Sequence, residues 1–191
     1  MWKQQCAYPA AQPDCCEEVA LTTNCTAVGT YILSPSNGSN QEITDALVEH
    51  WDGTHWSIIT TPIPDPSNPL PDYGSLTGVS CPTPTSCMAV GIYYTYCALL
   101  PTFSFAEQWN GSTWSIVPTA KPTNTQLNSV SCSSATYCLA VGSTSGNKPA
   151  VERWNGSQWS NVATPTPTAT SYGPLNGVSC LSATNCTAVG A

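Results

Sequence analysis

One sequence pattern, written three to four times along the chain, limits its possible folds more than any other feature. Each full copy opens with L-x-[GS]-V-S-C-x5-C-x-A-V-G, at residues 76–91, 127–142 and 175–190, while a degenerate first copy keeps only CTAVG at residues 25–29. After an insert of variable length comes [AV]-E-x-W-[ND]-G-[ST]-x-W-S, at residues 48–57, 106–115 and 151–160. A sequence that repeats in this way usually encodes one supersecondary unit that packs against its neighbours. We therefore divide the chain into residues 1–75, 76–126, 127–174 and 175–191.

Both halves of the unit predict β-hairpins. In the first half, apolar and β-branched residues flank a short polar loop, and no helical period is present. In the second half, Asn-Gly or Asp-Gly lies between two tryptophans, which is a strong hairpin signal because both residues tolerate positive φ. The proline-rich links between units cannot pair as strands, since proline lacks the N–H. Each unit should therefore contain four strands, for example at residues 79–81, 88–92, 106–109 and 114–117.

Repeated four-stranded units of this length are typical of β-propeller blades. The predicted fold class is all-β, with propeller-like blades of four antiparallel strands, about three complete blades and partial ends. A final hairpin at residues 177–190 should lack its outer strands. We expect residues 2–7 to supply one of them, because propellers often close by combining both chain ends in one blade.

Cysteine usage indicates the compartment. The 191 residues include 11 cysteines, and three pairs share one spacing within the predicted hairpins: Cys81 and Cys87, Cys132 and Cys138, Cys180 and Cys186. Zinc sites usually have shorter spacings and combine two pairs into one site, so we predict three local disulfides and an oxidising compartment. Cys25 should pair with Cys15 or Cys16, and of these two we assign Cys16 as the partner. Because the total is odd, at least one thiol lacks an intramolecular partner, and Cys97 is the candidate.

The paired motifs GVSCxSxxxCxAVG and ERWNGxxWS resemble repeats in secreted β-propeller proteins of actinobacteria and related soil bacteria. The resemblance extends from Cys15 to the C-terminus. It implies a propeller fold and no particular activity. The amino-terminal segment departs from the pattern, because Cys15 and Cys16 precede Cys25 where the other copies have C-x5-C.

The repeated tryptophans and glutamates are expected to be structural. A tryptophan buries a large area, and an element present in every unit usually serves what every unit must do. The tryptophans concerned are Trp51, Trp56, Trp109, Trp114, Trp154 and Trp159; the alternative is that one of each pair stacks on a sugar ring. Glu49, Glu107 and Glu152 should accept N–H bonds between blades, since catalytic carboxylates would form one unique pair rather than one per blade.

Composition excludes several classes of function. The chain has only four basic residues and a net charge of −7, whereas a nucleic-acid binder needs clustered Lys and Arg. No apolar run is long enough to insert into a membrane. The start lacks the apolar region of a signal peptide, so an extracellular or cell-surface location implies that the signal peptide is absent from this chain. No motif for a cofactor, a metal or a catalytic nucleophile is present, and we expect no enzyme activity and no cofactor.

The insert after A-V-G varies most among the copies, and such variation marks where function usually lies. In the second copy the insert is aromatic, with candidate ligand contacts at Tyr93, Tyr94, Tyr96, Phe103 and Phe105. The alternative is that these residues pack against their own blade. The sequence thus predicts a non-catalytic extracellular scaffold that binds a glycan or a protein. A second hypothesis is the propeller part of a larger secreted carbohydrate-active enzyme whose catalytic groups lie outside this chain.

Overall fold

A computed structural model of the chain describes residues 3–6, 24–34, 43–62, 64, 73–94, 102–121, 123–165 and 173–190. Within the described residues, every regular element is a β-strand. No helix long and apolar enough to cross a membrane occurs in this part of the chain. The strands are β1 (Lys3–Cys6), β2 (Cys25–Ser34), β3 (Ile43–Trp51), β4 (Trp56–Ile59), β5 (Tyr73–Thr83), β6 (Ser86–Tyr94), β7 (Phe103–Trp109), β8 (Trp114–Val117), β9 (Thr125–Ser134), β10 (Tyr137–Thr144), β11 (Pro149–Trp154), β12 (Trp159–Asn161), β13 (Leu175–Ser182) and β14 (Asn185–Gly190). The all-β fold class is confirmed.

The strands form sheets in chain order. β1 to β4, β5 to β8 and β9 to β12 each make a four-stranded sheet, and β13 pairs with β14. Every neighbouring pair is antiparallel, so each sheet is a simple meander. The four strands predicted for the second repeat lie within β5, β6, β7 and β8. The prediction of four antiparallel strands per unit is confirmed.

The first strand does not lie where it was expected. β1 pairs with β2 in the first sheet, from Lys3 opposite Val28 to Cys6 opposite Cys25, rather than with the last hairpin. The expectation that residues 2–7 complete the last sheet is therefore wrong. The register gives the reason: Cys6 faces Cys25 as Cys132 faces Cys138, so β1 is the diverged first strand of its own repeat.

The sheets stack in chain order and diverge outward. The first strands of successive sheets contact one another: β1 contacts β5, β5 contacts β9, and β9 contacts β13. Within the described ranges, β4, β8 and β12 approach the neighbouring sheets less closely. Sheets that are close at one end and apart at the other have the arrangement of propeller blades.

An apolar core lies between each pair of successive sheets. Between the first two sheets, Val28 and Val48 pack with Leu76, Val79 and Trp114. The next core brings Val90 and Ala106 against residues of the third sheet, and the last contains Val141, Val178 and Cys180. The valine of A-V-G thus faces the following sheet, while the valine of V-S-C faces the preceding one. One short motif therefore supplies both sides of every interface.

The glycine that ends A-V-G is required by a close approach of two strands. A Cβ atom on Gly142 would lie 1.8 Å from the carbonyl oxygen of Gln126, and one on Gly91 would lie 2.2 Å from that of Ser75. A register shift in the pairing with the first strand accompanies both glycines. Only a residue without a side chain fits there, which accounts for its repetition.

Candidate functional site

The three predicted disulfides are present. Cys81–Cys87, Cys132–Cys138 and Cys180–Cys186 have S–S distances of 2.01, 2.07 and 2.15 Å. Each closes the loop of a first hairpin, which stabilises the fold by about 2 kcal/mol in the chain-entropy treatment. Three disulfides indicate an oxidising compartment.

The remaining cysteines are only partly described. Cys25 is buried at the start of β2, and the backbone register places it opposite Cys6. Cys15, Cys16 and Cys97 lie outside the described residues, so the pairing of Cys16 with Cys25 stays a prediction. The register favours Cys6 as the partner of Cys25 instead.

The turn between the paired tryptophans uses its asparagine differently from what the sequence suggested. Trp109 pairs with Trp114, so the loop between them has four residues. In the Asn-Gly pair of this loop, only Gly111 has a positive φ, at 97°. The Asn110 Oδ1 atom accepts the backbone N–H groups of Ser112 and Thr113 at 2.9 and 3.0 Å. The asparagine therefore caps the turn through its side chain rather than by adopting positive φ.

The corresponding turn of the first sheet has an aspartate in the capping position. Asp52 Oδ1 accepts the Thr54 hydroxyl and the backbone N–H groups of Thr54 and His55. The hydrogen bond from the Thr54 side chain, followed by those from the backbone, lowers the pKa of Asp52 to about 2. This carboxylate serves the turn, as the asparagines do in the other two sheets.

The tryptophan pairs of the second and third sheets lie between sheets. The two rings of each hairpin contact one another, with centroids 5.7 to 5.8 Å apart. Trp114, Trp154 and Trp159 are 7%, 3% and 6% exposed and belong to the cores between successive sheets. Trp56, in the first sheet, is 40% exposed. The three buried rings present no face on which a sugar could stack, while Trp51 and Trp109 are half-buried.

The repeated glutamates bind the links that connect the sheets. Both oxygens of Glu152 accept backbone N–H groups, Oε2 from Ala120 at 2.8 Å and Oε1 from Lys121 at 3.1 Å. Glu107 accepts the Thr61 hydroxyl through Oε1 at 2.5 Å, whereas no hydrogen-bond donor described by the structure reaches its buried Oε2. Glu107 and Glu152 therefore each tie their sheet to the link that leaves the preceding sheet. Glu49, in the first sheet, is half-buried.

Burial controls the ionisation of both carboxyl groups. Desolvation raises the pKa of Glu107 to about 7, with the Thr61 hydrogen bond opposing the shift and the charge of Asp45 adding to it. Desolvation also raises the pKa of Glu152, although the N–H groups of Ala120 and Lys121 and the Lys121 charge oppose it. Because both carboxyl groups lie between sheets, their shifted pKa values reflect packing rather than a catalytic pair.

The aromatic insert of the second sheet is divided between core and surface. Phe105 is 3% exposed and packs in the first inter-sheet core. Its assignment as a ligand contact is therefore corrected: it is a packing residue. Tyr93 stacks on Phe103 with centroids 5.0 Å apart, and Tyr94 is 39% exposed. Tyr96 lies outside the described residues.

A polar cleft lies beside this insert, and the sequence analysis did not identify it. Its volume is about 190 Å³, and uncharged polar residues line it: Thr102, Asn124, Gln126, Ser143, Thr144, Ser145 and Asn147. Three chain segments meet there, because the Asn124 N–H donates to the Thr102 carbonyl at 2.8 Å and the Ser145 N–H donates to the Asn124 carbonyl at 2.7 Å. The sequence points to this cleft in one way only: residues 143–149 are the variable insert of the third repeat.

The backbone of the cleft is unusual in one respect. Among the described residues, the non-glycine residues with positive φ are Asn124 and Asn147, at 58° and 61°, and both line the cleft. Asparagine is one of the few residues that tolerate this conformation, which is concentrated at functional sites. Phe103 follows Thr102 and forms a bridge with Thr123, but Tyr93, on which its ring stacks, packs against the core between the first two sheets, so the aromatic pair does not line the cleft. We call the cleft the insert site.

No metal centre competes with this site in the part of the chain that the structure describes, where no three His, Cys, Asp or Glu side chains could hold an ion together. His55, one of the two histidines, lies in an exposed turn with its Nδ1 atom 2.8 Å from the Thr54 hydroxyl. Comparison with known proteins gives no family: no family model and no curated protein matches the chain.

Proposed function

We propose that the protein is a non-catalytic extracellular binding scaffold that recognises a neutral glycan at the insert site. The observation that carries the proposal is the cleft itself, which is built on variable insert residues and lined by amide and hydroxyl groups without a charged side chain. Such groups both donate and accept hydrogen bonds, which matches the hydroxyl groups of a sugar. A charged ligand would lose hydration without gaining a partner of opposite charge.

The size of the cleft supports the same ligand class. A volume of about 190 Å³ equals about six water molecules, which suits one sugar ring better than a larger ligand. The polar groups of a binding pocket fix the orientation of its ligand.

The absence of catalysis is supported by the position of the buried acids. Glu107 and Glu152 are 0% and 1% exposed, lie in different sheets and hold the links between sheets. Glycoside hydrolysis needs two carboxyl groups that flank one bond. These two cannot approach a common substrate.

The test is a glycan array probed with the labelled chain, followed by titration of any glycan that binds. Gln126→Ala removes a cleft amide and should weaken binding about tenfold or more, because it leaves a ligand hydroxyl without a partner. The matched control is Gln158→Ala, in an exposed turn outside the cleft, which should bind like the wild type. Equal loss in both variants, or no glycan bound, would contradict the proposal.

A further inference from the structure

The link that leaves the second sheet leads directly into the insert site. It comprises residues 118–124, between the end of β8 and the start of β9, and its last residue, Asn124, lines the cleft. On the other side of the cleft, residues 143–147 belong to the insert that continues into β11. The position of the link relative to β11 therefore determines the shape of the cleft.

A single side chain of β11 fixes the link to the third sheet. Glu152 is 1% exposed, and its two oxygens accept the N–H groups of Ala120 and Lys121 at 2.8 and 3.1 Å. The Lys121 carbonyl accepts the hydroxyl of Ser104, in β7, at 3.1 Å. Through its N–H and C=O groups, Lys121 thus joins the third sheet to the second.

The same link has a second attachment at the cleft itself. The Asn124 carbonyl accepts the Ser145 N–H at 2.7 Å, and the Asn124 N–H donates to the Thr102 carbonyl at 2.8 Å. The link is therefore bound twice to one hairpin, by Glu152 of β11 and by Ser145 of the insert. A left-handed residue such as Asn124, with φ of 58°, keeps that conformation only where its surroundings hold it.

The joint between the first and second sheets lacks this anchor. Pro62 takes the place of Ala120, since each lies six residues beyond the second tryptophan of its hairpin, and proline has no N–H to donate. In agreement, no donor within the described residues reaches Oε2 of Glu107, the equivalent glutamate. Of these two joints, the one that carries the cleft has the anchor through two backbone N–H groups.

We propose that Glu152 is a positioning residue of the insert site, whose ionised carboxylate holds Asn124 in place for a ligand and whose protonation weakens ligand binding. This inference rests on the proposed binding of a glycan at the cleft. An ionised carboxylate accepts hydrogen bonds at both oxygens, whereas the protonated group carries an O–H donor on one of them. Because a donor then faces a donor, the acid form loses one of the two N–H groups that hold the link.

The charges around Glu152 allow this exchange of a proton. Desolvation raises the pKa of Glu152 above the ordinary value of 4.5, and the N–H groups of Ala120 and Lys121 and the Lys121 charge oppose the shift. The strands that flank β11 in its sheet, β10 and β12, have no charged side chain, and neither do β8 and β9. Arg153 is exposed, and Glu107 faces the preceding joint. The site should therefore loosen as the pH falls through the raised pKa of Glu152.

The first experiment requires no ligand and follows the full chain by NMR from about pH 4 to about pH 8. The carboxyl carbon of Glu152 and the amide groups of Asn124 and Ser145 should all change in one step at the same pH, above 4.5. On the acidic side, the protection of both amides against hydrogen exchange should fall about tenfold, because a hydrogen bond to a charged group has been lost.

Two substitutions assign the step to the anchor. Glu152→Gln should abolish it, whereas the matched control Glu107→Gln, at the equivalent position of the preceding sheet, should leave it unchanged. Ala120→Pro copies the first link and removes one N–H group while Glu152 stays in place; it should lower the protection of the Ser145 amide about tenfold at about pH 8. Circular dichroism checks that each variant folds, and the wild-type titration decides the question even if one does not.

The second experiment titrates a glycan found on the array at pH values on either side of the step. The wild type and Glu107→Gln should bind about tenfold more weakly on the acidic side, and Glu152→Gln should bind weakly on both. Amide groups that do not follow the Glu152 carboxyl, or a wild-type affinity that is the same on both sides, would overturn the proposal. If no glycan binds, the proposed function fails, and the NMR titration still decides whether Glu152 positions the site.

Discussion

Replacing Glu107 by glutamine should stabilise the protein at pH 8 and change little at pH 5. The side chain is 0% exposed, and burial raises its pKa to about 7, well above the ordinary value of 4.5. Between these two values the folded state binds a proton that the unfolded state releases. The contribution of this group to stability is therefore complete below about pH 4.5 and is lost as the pH rises through 7.

The expected magnitude follows from the displacement of the pKa. The folded and unfolded pKa values differ by roughly 2.5, and each pH unit corresponds to about 1.4 kcal/mol. The free energy of unfolding should therefore fall by about 3 kcal/mol between pH 5 and pH 8. Glutamine keeps an oxygen for the Thr61 hydroxyl and carries no charge to desolvate. It should therefore recover up to about 3 kcal/mol at pH 8, with a difference within about 1 kcal/mol at pH 5.

Glu152→Gln provides the matched comparison. Both Glu152 oxygens accept backbone N–H groups. In the glutamine variant, the side-chain NH₂ group would face one of these N–H donors, and neither group could accept a hydrogen bond from the other. This variant should be less stable than Glu107→Gln by about 1–3 kcal/mol at pH 8.

The assay is urea unfolding of the wild type and both variants at pH 5 and pH 8, with the disulfides intact. The wild type should lose stability between the two pH values, and Glu107→Gln should lose much less. The reasoning is refuted if Glu107→Gln and the wild type lose stability in parallel, or if Glu152→Gln gains as much as Glu107→Gln.

Three further outcomes are expected. Peptide mapping without reduction should find Cys6 linked to Cys25, because their register is that of Cys132 and Cys138; a link from Cys25 to Cys16 instead would contradict this. Trp154→Ala should cost about 3–5 kcal/mol of unfolding free energy, and Trp56→Ala, at a 40% exposed position, clearly less; equal losses in urea unfolding would argue against packing as the role of these rings. Phe105→Ala should lower the unfolding midpoint, whereas Tyr94→Ser, at a 39% exposed position, should leave it unchanged. A stable Phe105 variant and a destabilised Tyr94 variant would contradict the assignment of Phe105 to the core and Tyr94 to the surface.

The local features of this protein follow from its sequence, because they depend on residues close together in the chain. The hairpins need only alternating strands and a short polar loop, and each disulfide joins residues six positions apart. The repetition also identified Trp154 and Glu152 as parts of the scaffold, since what recurs in every unit serves the contact between units. The turn was located correctly, although its asparagine acts through the side chain.

Tertiary structure decided what depends on residues distant in the chain. The insert site brings together Thr102, Asn124 and residues 143–147, and the positive φ of Asn124 and Asn147 carries no signal in the motif. Phe105 and Tyr94 belong to one aromatic insert, and only strand register places the first in the core and the second at the surface. The raised pKa of Glu107 likewise requires both the sheet behind it and the link from the preceding sheet, because desolvation depends on everything that surrounds the carboxyl group.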